Sequence, residues 1–270
     1  MSTELRHLDQ NYSLDNYKKL IDLLLHNDYS TCPFTVDSVD GKAVFLRHDI
    51  DYSMFWAEQF ADVNEKMGVH GTFFLQLRSP LYNPFSYESR RVIKRILDAG
   101  QYIAFHFALN EGCNTYEAVY ELLREDYRVF KECVPEVQPV FAWHNPNVMF
   151  SAHDDLVERE FPGFVNVYGE FAGGGHPYYA DSNMRYTVRE LEEFINKGEP
   201  SFQLALAPMQ WCPDADNMLS VMAANMVRKV VDNELEFLDN HIYKACFPAG
   251  LSQQQLEGLS ECIERKGSEV

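Results

Sequence analysis

The feature that most restricts the fold of this chain is a regular alternation of short apolar runs with longer amphipathic stretches. Short apolar runs bounded by turn residues are typical of buried strands, and apolar positions three and four residues apart are typical of helices. Strands separated by such helices pair in parallel, through right-handed crossovers. The sequence therefore predicts an α/β protein, and the number of its strands favours a (β/α) barrel over a small open sheet.

Apolar runs and capping residues place the individual elements. Ser13, Thr187 and Ser252 are typical helix N-caps, and Gly100 suits the end of a helix. The predicted strands are 43–47, 71–75, 102–105, 140–143, 165–168, 178–180 and 202–206. The predicted helices are 14–27, 54–67, 86–99, 115–133, 187–198, 214–247 and a last one from Ser252. Because no linker or repeat divides the chain, we expect a single domain over 1–270 with a helical C-terminal portion from about 214.

Charge and composition exclude several classes of function. The 270 residues include 41 acidic and 23 basic side chains, a net charge of −18. This charge repels phosphate backbones and anionic headgroups, so we expect neither nucleic-acid nor membrane-surface binding. Because the chain has no apolar window long enough to span a bilayer and no signal peptide at its start, we expect a cytoplasmic protein. The six cysteines form no CxxC pair, which argues against a zinc knot or a disulfide framework.

Polar residues collect at the carboxyl ends of three predicted strands, where the loops of a parallel α/β fold converge. Asp49 and Asp51 follow the first strand, His106 ends the third, and His144 ends the fourth. One carboxylate and two imidazoles can hold a divalent metal, while a second carboxylate takes a proton from water. The four residues therefore predict a metal-dependent hydrolytic site, although any one of them alone could be a cap or a turn residue.

Four ordered segments resemble a known family. The first, FLRHDIDYSMFWAEQFADVNEKMGVHGTFFL, is similar to the opening of the polysaccharide deacetylase (NodB-like) carbohydrate esterases, in the branch from O-antigen and capsule gene clusters whose first motif is HDxD. SPLYNPFSYESRRVIKRILDAGQYIAFHF, FAWHNPN and ADSNMRY follow in the expected order, and the resemblance covers about residues 44–211. It implies an irregular (β/α) barrel, often of seven strands, that hydrolyses an acetyl or similar acyl group from a sugar in surface-polysaccharide biosynthesis.

The resemblance also implies roles for individual residues. Asp49 falls on the general base of the family, and Asp51 and His106 fall on ligands of a divalent metal, usually zinc. Asn110, however, stands where the family has a second histidine ligand, and an amide oxygen suits harder cations better than zinc. His144 is then the candidate that completes the ligand set.

A second departure is Ala207, which stands where the family has a histidine before a proline. That histidine donates a proton or orients the intermediate, and losing a general acid typically costs about 100- to 10,000-fold in rate. An alternative function is therefore a catalytically impaired descendant that binds a carbohydrate or a partner protein. A third possible function is a hydrolase of non-sugar amides, because a fold does not determine the substrate.

Two further residues are ambiguous in the sequence. His48, between Arg47 and Asp49, could hydrogen-bond a carboxylate or contact substrate. Asp181, within ADSNMRY, could contact substrate or be a turn acid. The sequence leaves the oligomeric state open.

Overall fold

The computed structural model describes residues 12–36, 38–109, 113, 115–144, 154–173, 175–213, 217–237, 241–246 and 248–268. These residues form eight strands: β1 (Tyr29–Thr31), β2 (Lys42–Ile50), β3 (Gly71–Leu75), β4 (Tyr102–Phe107), β5 (Val140–Trp143), β6 (Val165–Asn166), β7 (Tyr178–Ala180) and β8 (Ser201–Leu206). They also form eleven helices: α1 (Leu14–His26), α2 (Met54–Met67), α3 (Tyr87–Asp98), α4 (Tyr116–Cys133), α5 (Asp154–Val157), α6 (Glu170–Gly173), α7 (Val188–Asn196), α8 (Pro208–Trp211), α9 (Met218–Phe237), α10 (His241–Cys246) and α11 (Gln253–Ser268).

The strands form one parallel sheet in the order β6-β5-β4-β3-β2-β8-β7, with the short β1 paired to the start of β2. The seven strands of this path curl into a half-barrel that helices surround, which confirms the predicted irregular (β/α) barrel. Among the described residues, no ladder joins β6 to β7. The barrel is therefore open along that side.

Alternation along the strands separates two apolar cores. Successive side chains of a strand point to opposite faces. Phe45, Phe74 and Ala104 belong to a core inside the curl, whereas Leu46, Phe73 and Ile103 belong to the larger core between the sheet and the helices. The same alternation places odd-numbered residues of β2 on the inner face. It is this inner face, at the carboxyl ends of the strands, that carries the polar residues described below.

Local signals predicted most element boundaries. The side chains of Ser13 and Thr115 cap α1 and α4, and Thr187 forms the full capping box with Glu190 at the start of α7. β2 and β4 each extend beyond their predicted ends, so Asp49 and His106 lie within strands rather than after them. The short elements β1, α5, α6 and α8 were not predicted from the sequence. Each spans too few residues for a periodic pattern to show.

The C-terminal portion predicted from about 214 appears as α9, α10 and α11, and residues 214–216 and 238–240 lie outside the described part of the chain. α9 packs against both α8 and α11. No helix in the described ranges has the length and apolarity needed to cross a membrane. All six cysteines are free thiols.

Candidate metal centre

Three predicted residues meet at the carboxyl ends of β2, β4 and β5. The Asp51 Oδ1 atom lies 3.1 Å from His106 Nε2 and 3.2 Å from His144 Nδ1, and the two ring nitrogens are 3.3 Å apart. In the part of the chain that the structure describes, these residues are the one group of three possible ligands with this spacing. The predicted convergence of Asp51, His106 and His144 is therefore present.

The triangle of donor atoms fits a small divalent cation. A tetrahedral zinc ion with bonds of about 2.0 to 2.1 Å holds its ligand atoms about 3.3 Å apart. The three measured separations of 3.1, 3.2 and 3.3 Å agree with that spacing. Two imidazoles and one carboxylate also leave further coordination positions open, which is typical of catalytic rather than structural sites. Asn110 lies outside the described residues.

Hydrogen bonding orients His106 toward the triangle. Its Nδ1 lies 3.2 Å from the carbonyl oxygen of Ala142, which directs Nε2 to Asp51. Burial favours the neutral imidazole, but the carboxylates of Asp49 and Asp51 outweigh it and raise the pKa of His106. Burial also raises the pKa of Asp51, yet its hydrogen bonds to His106 and His144 bring that pKa well below the usual range. Both shifts show that the site stabilises positive charge among its carboxylates.

Gln76 contacts this site, although the sequence pattern alone does not indicate it. Its Nε2 lies 3.2 Å from Asp51 Oδ1, to which it donates, and 3.3 Å from His144 Nδ1. Tyr82 accepts a hydrogen bond from the backbone N–H of Gln76 and donates one to the carbonyl of Ile50. This bridge ties the residue after β3 to the end of β2. Only the strand order, which places β3 beside β2, reveals that a glutamine at this position reaches the triangle.

Asp49 lies beside the triangle and is held by its neighbour on the same strand face. Arg47 donates two hydrogen bonds to the Asp49 carboxylate, from Nε to Oδ1 and from Nη2 to Oδ2, both 2.7 Å long. Such a planar two-point contact holds a carboxylate in one orientation. The side chain of Asp49 remains 17% exposed, whereas that of Arg47 is 1% exposed. Asp49 is therefore an oriented carboxylate that solvent still reaches.

Aromatic rings surround Arg47. Its guanidinium lies 4.9 Å from the ring centre of Tyr168, 5.4 Å from that of Phe74 and 5.6 Å from that of Tyr178. Its Nη2 also donates to the Tyr168 hydroxyl, at 2.9 Å. Ring faces attract a buried cation and do not compete for Asp49. Despite the cost of burial, Asp49 and the two tyrosines keep the pKa of Arg47 well above its usual value.

A cavity of about 380 Å³ opens over these groups. Its wall is formed by both charged and aromatic side chains, among them Asp49, Asp51, His106, Tyr168, Tyr178 and Asp181. Cavities of this size hold a small ligand such as one sugar unit. Ala207 also lines it, so the position where a proton-donating histidine was expected carries only a methyl group.

Asp181 is buried in the wall of this cavity, with 4% of its surface exposed. The sequence alone is consistent with either a turn acid or a substrate contact at this position. The carboxyl group accepts hydrogen bonds from Ala207, Gln210 and Trp211, so it is not a solvated turn residue. The three residues that follow it, 182–184, all have positive φ angles between 46° and 59°. Such backbone is unusual outside glycine and is found disproportionately at functional sites.

His48 lies outside the site. It is completely buried on the outer face of β2, where its ring contacts those of Phe60 and Phe73. Its Nε2 lies 3.2 Å from Asn64 Nδ2 and 3.4 Å from the Tyr17 hydroxyl. Burial lowers its pKa to about 3. A role for His48 in substrate contact is therefore wrong.

No protein-family model matches this chain, and no curated protein matches it.

Proposed function

We propose that this protein is a metal-dependent hydrolase that removes an acetyl or similar acyl group from a sugar. It acts in the cytoplasm, in surface-polysaccharide biosynthesis, as a member of the polysaccharide deacetylase family that its four segments resemble. The observation that carries the proposal is the triangle of Asp51, His106 and His144, with the oriented carboxylate of Asp49 in the same cavity. A single acid or histidine would support no such chemistry.

Each group of the site has a separate task. Asp51, His106 and His144 would hold the divalent metal, and this donor set is typical of zinc. When bound, that ion lowers the pKa of water and polarises an acyl oxygen. Asp49 takes the proton of the attacking water, and Arg47 keeps its carboxylate in place. The aromatic side chains Tyr168 and Tyr178 offer faces for packing against the sugar ring.

The experiment is to measure bound metal together with acetate release from N- and O-acetylated sugars, free and nucleotide-linked. We expect about one divalent ion per chain and release that depends on it. Asp49→Asn should retain the metal and lose release by about 100-fold or more, because the amide keeps the shape of the carboxylate but cannot take a proton. A chain without stoichiometric metal and without release, with Asp49→Asn unchanged from wild type, contradicts the proposal.

A second candidate function is a non-catalytic carbohydrate-binding protein. The observation that favours it is Ala207, whose methyl group lines the cavity where the family has a proton donor. This candidate predicts that acetylated sugars bind to the metal-loaded protein without turnover. The third possible function is a hydrolase of non-sugar amides. A panel of formyl and acetyl amides of non-sugar amines, measured in parallel, distinguishes it from the sugar deacetylase and from the binding protein.

A further inference from the structure

The cavity contains a second buried carboxyl group whose surroundings differ from those of Asp49. Asp181 follows β7 and lies in the wall of the cavity. Among the described residues it forms no ion pair, and its three hydrogen-bond donors are uncharged. Because a buried carboxylate without a cation is costly, such a group holds a proton more readily than one in water.

The hydrogen bonds show which oxygen can carry the proton. Oδ2 accepts from the backbone N–H of Ala207 at 2.8 Å and from Trp211 Nε1 at 3.0 Å. Among the described residues, Oδ1 accepts from Gln210 Nε2 alone, at 3.1 Å. A proton on Oδ2 would displace one of two donors that have fixed positions. A proton on Oδ1 faces a single side-chain amide, which can rotate.

Gln210 can accommodate both protonation states of Asp181. Its side chain is buried, and its Oε1 has no hydrogen-bond partner in the described structure. A half-turn of the amide exchanges Nε2 and Oε1, which have nearly the same shape. The ionised carboxylate accepts from Nε2, and the protonated carboxyl donates from Oδ1 to Oε1. The amide therefore satisfies Asp181 before and after a proton transfer.

The surroundings of Asp181 as a whole favour its protonated form. Burial, with a smaller contribution from the carboxylate of Asp49, raises the pKa of Asp181 to about 7 against the hydrogen bonds from Ala207, Trp211 and Gln210. The other titratable or charged groups that line the cavity or contact this segment are Tyr12, Arg47, Asp51, His106, Tyr168, Tyr178 and Arg185. Arg47 is ion-paired with Asp49, and Arg185 forms no ion pair among the described residues.

We propose that Asp181 is the proton donor of this cavity, in place of the histidine that Ala207 replaces. The inference rests on the proposed hydrolase function. Water adds to the acyl carbon and its proton goes to Asp49. As the bond between the acyl carbon and the sugar nitrogen or oxygen breaks, its electron pair goes to that atom, which takes the proton from Asp181. Solvent then removes the proton from Asp49 and returns one to Asp181.

The first test detects the proton directly on the metal-free protein. The infrared carbonyl band of a protonated carboxyl group should be present at about pH 6 and vanish by about pH 8, with a midpoint near 7. Asp181→Asn should remove the band. Asp126→Asn is the matched control, because it removes a buried aspartate that is ion-paired to Arg78 outside the cavity, and it should leave the band. Gln210→Leu should move the midpoint upward, since the hydrogen bond that the ionised carboxylate loses is stronger than the one that the protonated form loses.

Asp181→Asn is suited to this test because the new side chain can keep every hydrogen bond. Its amide oxygen replaces Oδ2 as the acceptor for Ala207 and Trp211, and its amide nitrogen donates to Gln210 Oε1 after the half-turn. We expect it to fold with an unchanged circular dichroism spectrum. Any loss of activity then reports on the missing proton rather than on a damaged cavity wall.

The second test is the pH profile of acetate release. We expect Asp181→Asn to lower kcat by about 100- to 10,000-fold and to abolish the fall in rate at alkaline pH. A wild-type protein without the band at pH 6, or a band that survives Asp181→Asn, overturns the proposal. So does an active Asp181→Asn variant with unchanged kcat and pH profile, and in that case the hydrolase function stands. If metal-loaded wild type releases no acetate from any substrate, the proposed function fails and the donor role fails with it.

Discussion

The pKa of a buried histidine is shifted in opposite directions on the two faces of the sheet. His48 on β2 and His106 on β4 belong to the same sheet, and each is at most 3% exposed. On the outer face, burial among neutral rings lowers the pKa of His48 to about 3. On the inner face, burial again favours the neutral form, but Asp49 and Asp51 overcome it and raise the pKa of His106. Burial of a histidine alone therefore does not indicate a functional site, whereas burial of a histidine next to carboxylates does.

The largest effect that tests this comparison is the loss of metal. We expect His106→Gln to weaken zinc binding by more than about 100-fold, because even residues that only orient ligands contribute about 10- to 100-fold. His48→Gln makes the same chemical change on the outer face and should leave the metal stoichiometry unchanged. Calorimetric titration with zinc measures both. Equal losses in the two variants would show that the inner face has no special role.

The second effect concerns the buried pair of the inner face. Arg47→Met leaves Asp49 without its cation, and breaking a buried pair typically costs about 3 to 5 kcal/mol in the free energy of unfolding. The exposed pair between Lys94 and Asp98 on α3 is the reference, with side chains 74% and 57% exposed. Lys94→Met should change stability by no more than about 0.5 kcal/mol. Urea denaturation of both variants measures the two losses in the free energy of unfolding. Similar small losses would contradict the strong coupling of Arg47 to Asp49.

The third effect is the pH dependence that Asp181 contributes. The pKa of Asp181 is about 7 in the folded chain, against an ordinary value of 3.8 for an aspartate side chain. The folded state thus binds more protons than the unfolded state over this interval, and wild type should lose stability as the pH rises from about 4 to 7. Relative to Asp181→Asn, the loss should be roughly 2 to 4 kcal/mol. Thermal unfolding of both proteins across this range measures it, and parallel curves would place the carboxyl group in a water-like environment.

The smallest effect concerns the amide that touches the triangle. Gln76→Leu removes the hydrogen bonds to Asp51 and His144 while retaining much of the side-chain volume. We expect metal affinity to fall by about tenfold, because the ligands lose part of their orientation. Gln101→Leu, on the opposite side of the sheet among Asn64 and Gly71, is the matched glutamine. It should lower stability and leave metal affinity as it is.

Much of the fold could be predicted because its signals are local. Ser13 and Thr187 were recognised from the residues that follow them, and both cap helices. The strands of the central sheet were recognised from their apolar runs, since burial on both faces demands such runs. β1 and α8 were missed because three or four residues are too short to show a period. For the site, Asp49, Asp51, His106 and His144 were placed by their positions at strand ends.

What the sequence by itself determined is the set of elements and the chemical types available at the ends of the strands. Only the tertiary structure decided which of them meet. It turned His48 to the outer face and His106 to the inner one, brought Gln76 to the triangle, and buried Asp181 in the cavity wall, where it forms no ion pair with any described residue. The physical reason is that periodicity and capping depend on residues a few positions apart. The pKa of a carboxyl group and the separation of three ligand atoms depend instead on strand order and curl, which join residues far apart in the chain.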